Sequence, residues 1–166
     1  MSISLRHLNM SDHDQLISLA DNKNIADDMC TLPSPFTKED ATQLILRSER
    51  DHEHVLGVID ENSEQLAGVI TLRDFEPRHE QAELSIWIGE EFWGRGFGSA
   101  AIIEMTRIGF EQKNLNRIYA YCMVRNVASQ RILEKSGFTR EGLLRERVII
   151  CGTYEDVYLY ARLKKD

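Results

Sequence analysis

Proline is scarce in this sequence of 166 residues: Pro33, Pro35 and Pro77 are the three, and none follows Pro77. Every residue of the C-terminal half can therefore donate a backbone N–H. Cysteine is equally sparse. Cys30, Cys122 and Cys151 are odd in number and lack metal-ligand spacing, so no metal site is expected. Cys122 lies in an apolar run and reads as a small buried hydrophobe. No uninterrupted apolar run approaches the ~20 residues needed to cross a bilayer. Arg6, His7, Asp12 and Asp14 break up any apolar core near the start, so no signal peptide is expected and the chain is placed in the cytoplasm. Positive charge is in deficit, with 20 Lys and Arg against 27 Asp and Glu, a net charge of -7 and a pI near 5.3. That balance argues against general nucleic-acid binding and against adsorption to anionic membranes, and suits cationic partners such as amines or basic peptides.

What is present fits a folded domain. With 42% hydrophobic and 28% charged residues, the chain has the composition of a globular protein. Its length suffices to bury roughly two-thirds of its unfolded surface. No repeat, low-complexity segment or linker divides it, so residues 1–166 read as a single domain.

Taken in order, Ile3 to Leu8 alternates as a strand, and Ser11 with Asp14 three residues on is expected to cap a helix carrying Leu16, Ile17 and Ala20. Asn22 to Pro35 is irregular and reads as a partly helical loop. Thr37-Lys38-Glu39-Asp40 opens a second helix with Ala41, Leu44 and Ile45 as its apolar face. His54 to Asp60 and Gln65 to Asp74 form a strand pair, the second apolar on both faces and hence central. Glu80 to Ile88 follows, with Ala82, Leu84, Ile86 and Ile88 on one face and Glu83, Ser85 and Trp87 on a polar one. A helix to about Lys113 buries Ala101, Met105 and Ile108, and Arg117 to Val124 is a strand. Asn126 caps a short helix carrying Val127, Ile132 and Leu133, which Gly137 and Phe138 stop. Two strands around a Cys151-Gly152-Thr153 turn finish the chain. The order β-α-α-β-β-β-α-β-α-β-β describes a mixed α/β domain in which the helix after Ile88 is the one parallel crossover.

Between that crossover's strand and helix lies Trp93-Gly94-Arg95-Gly96-Phe97-Gly98-Ser99. A glycine-rich turn entering a helix N-terminus is suited to anions, because the first N–H groups lack intrahelical partners and glycines let the backbone approach a phosphate. The turn equally suits a simple strand-to-helix closure. Gly96-x-Gly98-x-x-Ala101 satisfies the dinucleotide fingerprint, but an antiparallel meander precedes it and Cys122-Met123-Val124 stands where an acidic residue is required. No Gly-Lys-Ser/Thr follows, which excludes a nucleotide P-loop.

Gly96-Phe97-Gly98 after a strand, then Asn126-Val127-Ala128-Ser129 and Leu133-Glu134-Lys135-Ser136-Gly137-Phe138, resemble the GNAT superfamily of acetyl-CoA-dependent N-acetyltransferases over essentially the whole chain. Glu141-Gly142-Leu143-Leu144-Arg145 and Tyr154-Glu155-Asp156-Val157-Tyr158-Leu159-Tyr160 look like the branch that acetylates ribosomal-protein N-termini. Trp93 stands where the family often has Gln or Arg, as part of the Phe92-Trp93-Gly94 run common in this branch. The resemblance implies a central, mostly antiparallel twisted sheet of about seven strands with about four helices, and a splayed parallel pair around the cofactor. It implies acetyl-CoA as co-substrate, held by Ile86, Trp87, Ile88, Trp93, Gly94, Arg95, Gly96, Phe97, Gly98, Ser99, Asn126 and Ser129, with no metal.

It further implies direct attack of a primary amine on the thioester. An amine of pKa ~10 is mostly protonated at neutral pH and needs a base. Glu83 is the candidate, with His79 as second choice; a solvated strand glutamate is the plainer alternative. The oxyanion donor is expected around Ile86-Trp87-Ile88. Relatives that use a tyrosine acid carry it at the place of Leu133, which leaves Ser129 as acid, with satisfaction of first-turn amides as its other reading. The acceptor, a protein N-terminal amine or a small-molecule amine, is expected between Ile25–Phe36 and the Cys151-Gly152-Thr153 turn, with Asp27, Asp28 and Glu155 able to attract a cation. A polyamine or antibiotic acetyltransferase, or an acetyl-CoA-binding regulatory module without turnover, are the alternatives; a homodimer is compatible with each.

Overall fold

A computed structural model describes residues 2–29, 31–50 and 53–166, so Cys30 lies outside the described residues. The alternating runs become seven strands: β1 (Ile3–Arg6), β2 (His54–Asp60), β3 (Gln65–Glu76), β4 (Gln81–Ile88), β5 (Arg117–Met123), β6 (Thr139–Ile150) and β7 (Thr153–Leu163). They join one sheet in the order β1-β2-β3-β4-β5-β7-β6. Every neighbouring pair is antiparallel except β4 with β5. β3 is central, as its two apolar faces require, with Leu66, Ala67, Val69 and Ile70 all buried.

Five α-helices accompany the sheet: α1 (His13–Ala20), α2 (Lys23–Ala26), α3 (Lys38–Ser48), α4 (Phe97–Glu111) and α5 (Val127–Lys135). The one beyond the expected four is the single-turn α2, where the Asn22 side chain accepts the Asn24 N–H. The cap expected from Ser11 and Asp14 is made by other residues. Asn9 accepts from the Ser11 N–H, and Asp12 accepts from the Asn9 N–H, at the 3-10 turn Met10–Asp12 that leads into α1. Asp12 can do this because Arg6 grips both its oxygens at 2.8 Å and offsets the burial of its charge. α3 starts as expected, with Thr37 and Asp40 satisfying each other's N–H groups.

α4 covers one face of the sheet and α3 the other. Phe97, Ala101, Ile102, Met105 and Ile108 of α4 are buried. Gly109 of α4 lies so close to Ile118 and Leu72 that an added Cβ would stand 2.7 Å from Ile118 Cδ1. Truncating Met105, which has no exposed surface, to Ala should cost about 2–5 kcal/mol. The supposedly polar face of β4 is the main correction to the reading of the strands. Glu83 and Trp87 on it are buried at 8% and 7% exposure, because α3 and the chain before it lie over that face.

α5 is bounded as its sequence demands. Asn126 accepts the Ser129 N–H at 2.9 Å. At the other end Phe138 donates to the Leu133 carbonyl and Gly137, at φ +84°, to that of Glu134. Leu133 and Phe138 are buried, whereas Val127 is half exposed and does not join the core.

Candidate active site

β4 and β5 pair only through Gln81 with Arg117, Ala82 with Ile118 and Glu83 with Tyr119. Each strand stays paired on its outer side beyond that point. β3 follows β4 as far as Gly68 with Ile88, and β7 follows β5 as far as Met123 with Val157. The two inner edges therefore part into a V, leaving backbone N–H and C=O groups of Leu84–Ile88 that face β5 without a strand partner. Ile86, Trp87 and Ile88, expected to supply the oxyanion donor, all lie on this parted stretch.

The glycine loop closes the wide end. Gly94 and Gly96 have φ of +71° and +86°, and Gly96 occupies the N-cap of α4. Ala100 is the first residue of the helix to find an acceptor, the Gly96 carbonyl at 3.1 Å. The N–H groups of Phe97, Gly98 and Ser99 thus have no intrahelical partner. No side chain caps this end, and no acidic residue occupies the first turn. A positively polarised helix end without a carboxylate of its own fits a pyrophosphate. Gly98 serves a different purpose: a Cβ there would stand 3.4 Å from Ile132 on α5, so its smallness brings α4 and α5 together.

The loop's side chains are turned to structural tasks. The Arg95 guanidinium lies 5.3 Å and 5.1 Å from the Phe92 and Phe97 ring centroids and 3.7 Å from Asp60. Phe97 is sealed in the core. The Trp93 indole, 47% exposed, donates to the Ile88 carbonyl at 2.7 Å and pins the end of β4. The loop can therefore meet an anion through its backbone. On α5 the Asn126 amide is engaged at both ends, by the Ser129 N–H and by Asp28 Oδ2 at 2.9 Å. The Cys122 thiol beneath is pushed up by burial, with the Ser129 hydroxyl beside it pulling the other way.

On the face covered by α3, three rungs of the β3–β4 ladder form a floor of graded polarity: Val69 with Trp87, Thr71 with Ser85 and Arg73 with Glu83. A pocket of about 220 Å³ stands on Val69, Trp87, Thr71, Ser85 and Arg73 of this floor, with Glu83 outside its lining, and is walled by Met29, Leu32 and Phe36 and by Gln43 and Arg47 of α3. Arg73 Nη2 donates to Glu83 Oε1 at 2.6 Å. Glu83 Oε2 carries no hydrogen bond among the described residues. Arg73 Nε is buried and equally without an acceptor among them. Tyr119, across from Glu83 on β5, is pushed up to about 12, first by burial and then by the Glu83 charge. Arg73, Glu83 and Tyr119 so make one row across three strands. His79 sits apart, exposed in the 3-10 turn Pro77–His79 before β4.

The acidic groups expected to draw in a cation are already paired. Lys23 Nζ lies 2.5 Å from Asp27 Oδ2. Arg125 Nη1 donates to Asp28 Oδ1, Arg125 Nη2 to the Asp27 carbonyl, and Arg125 Nε to Glu155 Oε2 at 2.8 Å. Sequence reasoning missed Arg73, Tyr119 and Arg125. The first two lie on β3 and β5 and meet Glu83 only through strand register. Arg125 finds Asp28 across 97 positions, which no local pattern announces.

Residues 2–139 match the model of the acetyltransferase (GNAT) domain family. The spermidine N(1)-acetyltransferase of Vibrio cholerae is 28% identical over 156 residues, 93% of this chain and 89% of that protein. The ribosomal-protein-serine acetyltransferase of Escherichia coli K12 is 32% identical over 100 residues, 60% of this chain and 56% of that protein. The crystal structure of the Vibrio cholerae spermidine enzyme in complex with CoA and spermine superposes with a TM-score of 0.86 at 28% identity, covering 98% of this chain and 96% of that one.

Proposed function

The chain belongs to the GNAT acetyltransferase family, and on that premise we propose that it transfers the acetyl group of acetyl-CoA to a primary amine that enters from the pocket lined by Arg73 and Ser85, one rung from Glu83. The observation that carries the proposal is the V between β4 and β5, closed by an α4 N-terminus that holds no carboxylate and no side-chain cap. Acetyl-CoA supplies an activated thioester. The chain supplies the rest: amides of Phe97, Gly98 and Ser99 toward the pyrophosphate, and an unpaired N–H of the Ile86–Ile88 stretch toward the carbonyl oxygen.

In this reading Glu83 takes the amine's proton through Oε2, directly or by one water, while Arg73 holds Oε1 and fixes the orientation of the carboxylate. Ser129 is the donor to the departing sulfur, its own N–H being satisfied by Asn126. Tyr119, protonated far above neutral pH, lends the Glu83 row a hydroxyl and no charge.

A polyamine acceptor is the second reading, supported by the likeness to the spermidine enzymes. The pairing of Asp27, Asp28 and Glu155 with Lys23 and Arg125 speaks for an acceptor with a single cationic group, such as a peptide N-terminus. We read residues 1–166 as one such domain acting in the cytoplasm. Free-thiol release from acetyl-CoA, measured across N-terminal peptides, spermidine and simple amines, tests the whole proposal. No release above hydrolysis with any acceptor would sink it. CoA stabilisation with no release would instead favour a regulatory module.

A further inference from the structure

Arg125 joins segments that the chain keeps far apart. Its guanidinium donates to the Asp28 carboxylate, to the Asp27 carbonyl and, at 2.8 Å, to Glu155 Oε2. Asp28 uses its second oxygen to accept from Asn126 Nδ2 at 2.9 Å. That same Asn126 caps α5 by accepting the Ser129 N–H. The cluster therefore ties three elements: the stretch that walls the acceptor pocket, the first turn of the helix flanking the cofactor cleft, and the start of β7.

We infer that Arg125 is a positioning residue that fixes the acceptor-side wall, residues 27–29 and 31–36, to the N-terminus of α5, so that filling the cofactor cleft orders the wall that receives the amine. The inference rests on the acetyltransferase reading above.

The physical case has three steps. Among the described residues the wall pairs with no strand. It is held by turn hydrogen bonds, by Met29, Leu32 and the buried Phe36 packing on the core, and by the Phe36 N–H donating to Asp21 Oδ1 at 3.1 Å, so its Asp27–Asp28 end depends most on Arg125. Exposed ion pairs taken singly contribute little, but here one planar fork makes three bonds at once, and the partner carboxylate is held from its other side by Asn126. Asn126 caps the N-terminus of α5, the helix whose Ile132 lies against Gly98 in the first turn of α4. A ligand that steadies that end steadies Asn126, then Asp28, then the wall. By linkage, an ordered wall tightens the ligand to the same degree.

Hydrogen–deuterium exchange of the amides of residues 27–29 and 31–36, with and without CoA, tests this without knowledge of the acceptor. CoA should slow exchange there by about fivefold or more in the unmodified chain. In Arg125→Gln and in Asp28→Asn the slowing should vanish, and CoA affinity by calorimetry should fall by no more than the same factor of about fivefold, as reciprocity requires. The double variant should behave like either single one. If Arg125→Gln does not fold, Asp28→Asn, which keeps the shape of the side chain, decides alone. Slowing that survives in the variants, CoA affinity that falls in them by about a hundredfold or more, or no slowing in the unmodified chain each overturns the inference. Failure of the unmodified chain to bind CoA would overturn both this inference and the acetyltransferase reading. Failure to release thiol with any amine would overturn that reading alone.

Discussion

The cleft between β4 and β5 is bounded by two unlike constructions. The side proposed for the cofactor is made of backbone: parted strand edges, glycines at positive φ, and the first amides of α4. The side proposed for the acceptor is made of side chains brought from several elements, with Arg73 on β3, Glu83 on β4, Tyr119 on β5 and Arg47 on α3. A backbone site tolerates change in most of its side chains and fails when the chain path shifts. A side-chain site keeps its path and fails when one functional group is lost. The two sides should therefore respond to substitution in opposite ways, and this can be measured.

The largest effect is expected on the acceptor side. Glu83→Gln retains a carbonyl oxygen for Arg73 Nη2 to donate to, but removes the base, and should lower kcat by about 10²- to 10⁴-fold. CoA affinity, assigned in the proposal to amides of α4, should not move. Thiol-release kinetics and calorimetry with CoA read the two quantities separately. A Gln variant with full turnover would remove Glu83 from the chemistry and leave the amine to lose its proton to water.

The converse break is at Gly98. An added Cβ would stand 3.4 Å from Ile132 Cδ1, so Gly98→Ala should be accommodated, while the branched side chain of Gly98→Val must push α5 from α4. Overpacking of this kind costs about 1–3 kcal/mol, and here it should surface as weaker CoA binding of about 10- to 100-fold. Thermal shift by CoA across Gly98, Ala and Val gives the series. Equal shifts for all three would mean that the helix pair does not shape the cofactor site.

The same contrast explains what could be read from the chain. Strand positions, the crossover, the Thr37 and Asn126 caps and the Gly137 stop follow from local rules, because period, cap and turn chemistry act over a few residues. The cofactor side is local in the same sense: a glycine loop and the helix it opens adjoin in sequence. The acceptor side is not. Glu83 could be singled out on β4, but its burial depends on α3 arriving from residues 38–48, and its partner Arg73 depends on strand register. Asp27, Asp28 and Glu155 look like free acids until Arg125 and Lys23 are folded onto them. Even the cap expected at Ser11 and Asp14 falls on Asn9 and Asp12, at the 3-10 turn before α1, where Arg6 on β1 compensates the buried Asp12 charge.

Asn126 belongs to both sides and sharpens the comparison. Asn126→Ala leaves the Ser129 N–H uncapped and frees Asp28 Oδ2, and should cost about 1 kcal/mol of stability. Asn126→Asp keeps the cap acceptor and sets a carboxylate against Asp28, so it should restore α5 without restoring the bond to the wall. Thermal denaturation of both variants separates the two roles. Equal loss in Ala and Asp would assign the effect to the Asp28 contact rather than the cap.

The smallest effect concerns charge alone. Tyr119 is pushed up to about 12 by burial and by the Glu83 carboxylate. Its unfolded value is near 10, so between pH 10 and 12 the folded chain binds more protons than the unfolded one. Stability therefore falls as pH rises through that window, and the contribution of Tyr119 is fully present below it. Tyr160, likewise pushed up to about 12, by burial and by its bond to Glu134, adds to the same slope. Tyr119→Phe should thus make the decline of Tm between pH 10 and 12 shallower without abolishing it. It should leave the rate profile between pH 7 and 9 unchanged in shape, because the phenol is protonated throughout that range. An alkaline limb that moves with Tyr119→Phe below pH 9 would make the phenol a titrating member of the Glu83 row, and the acceptor side would then have two proton-carrying groups in place of one.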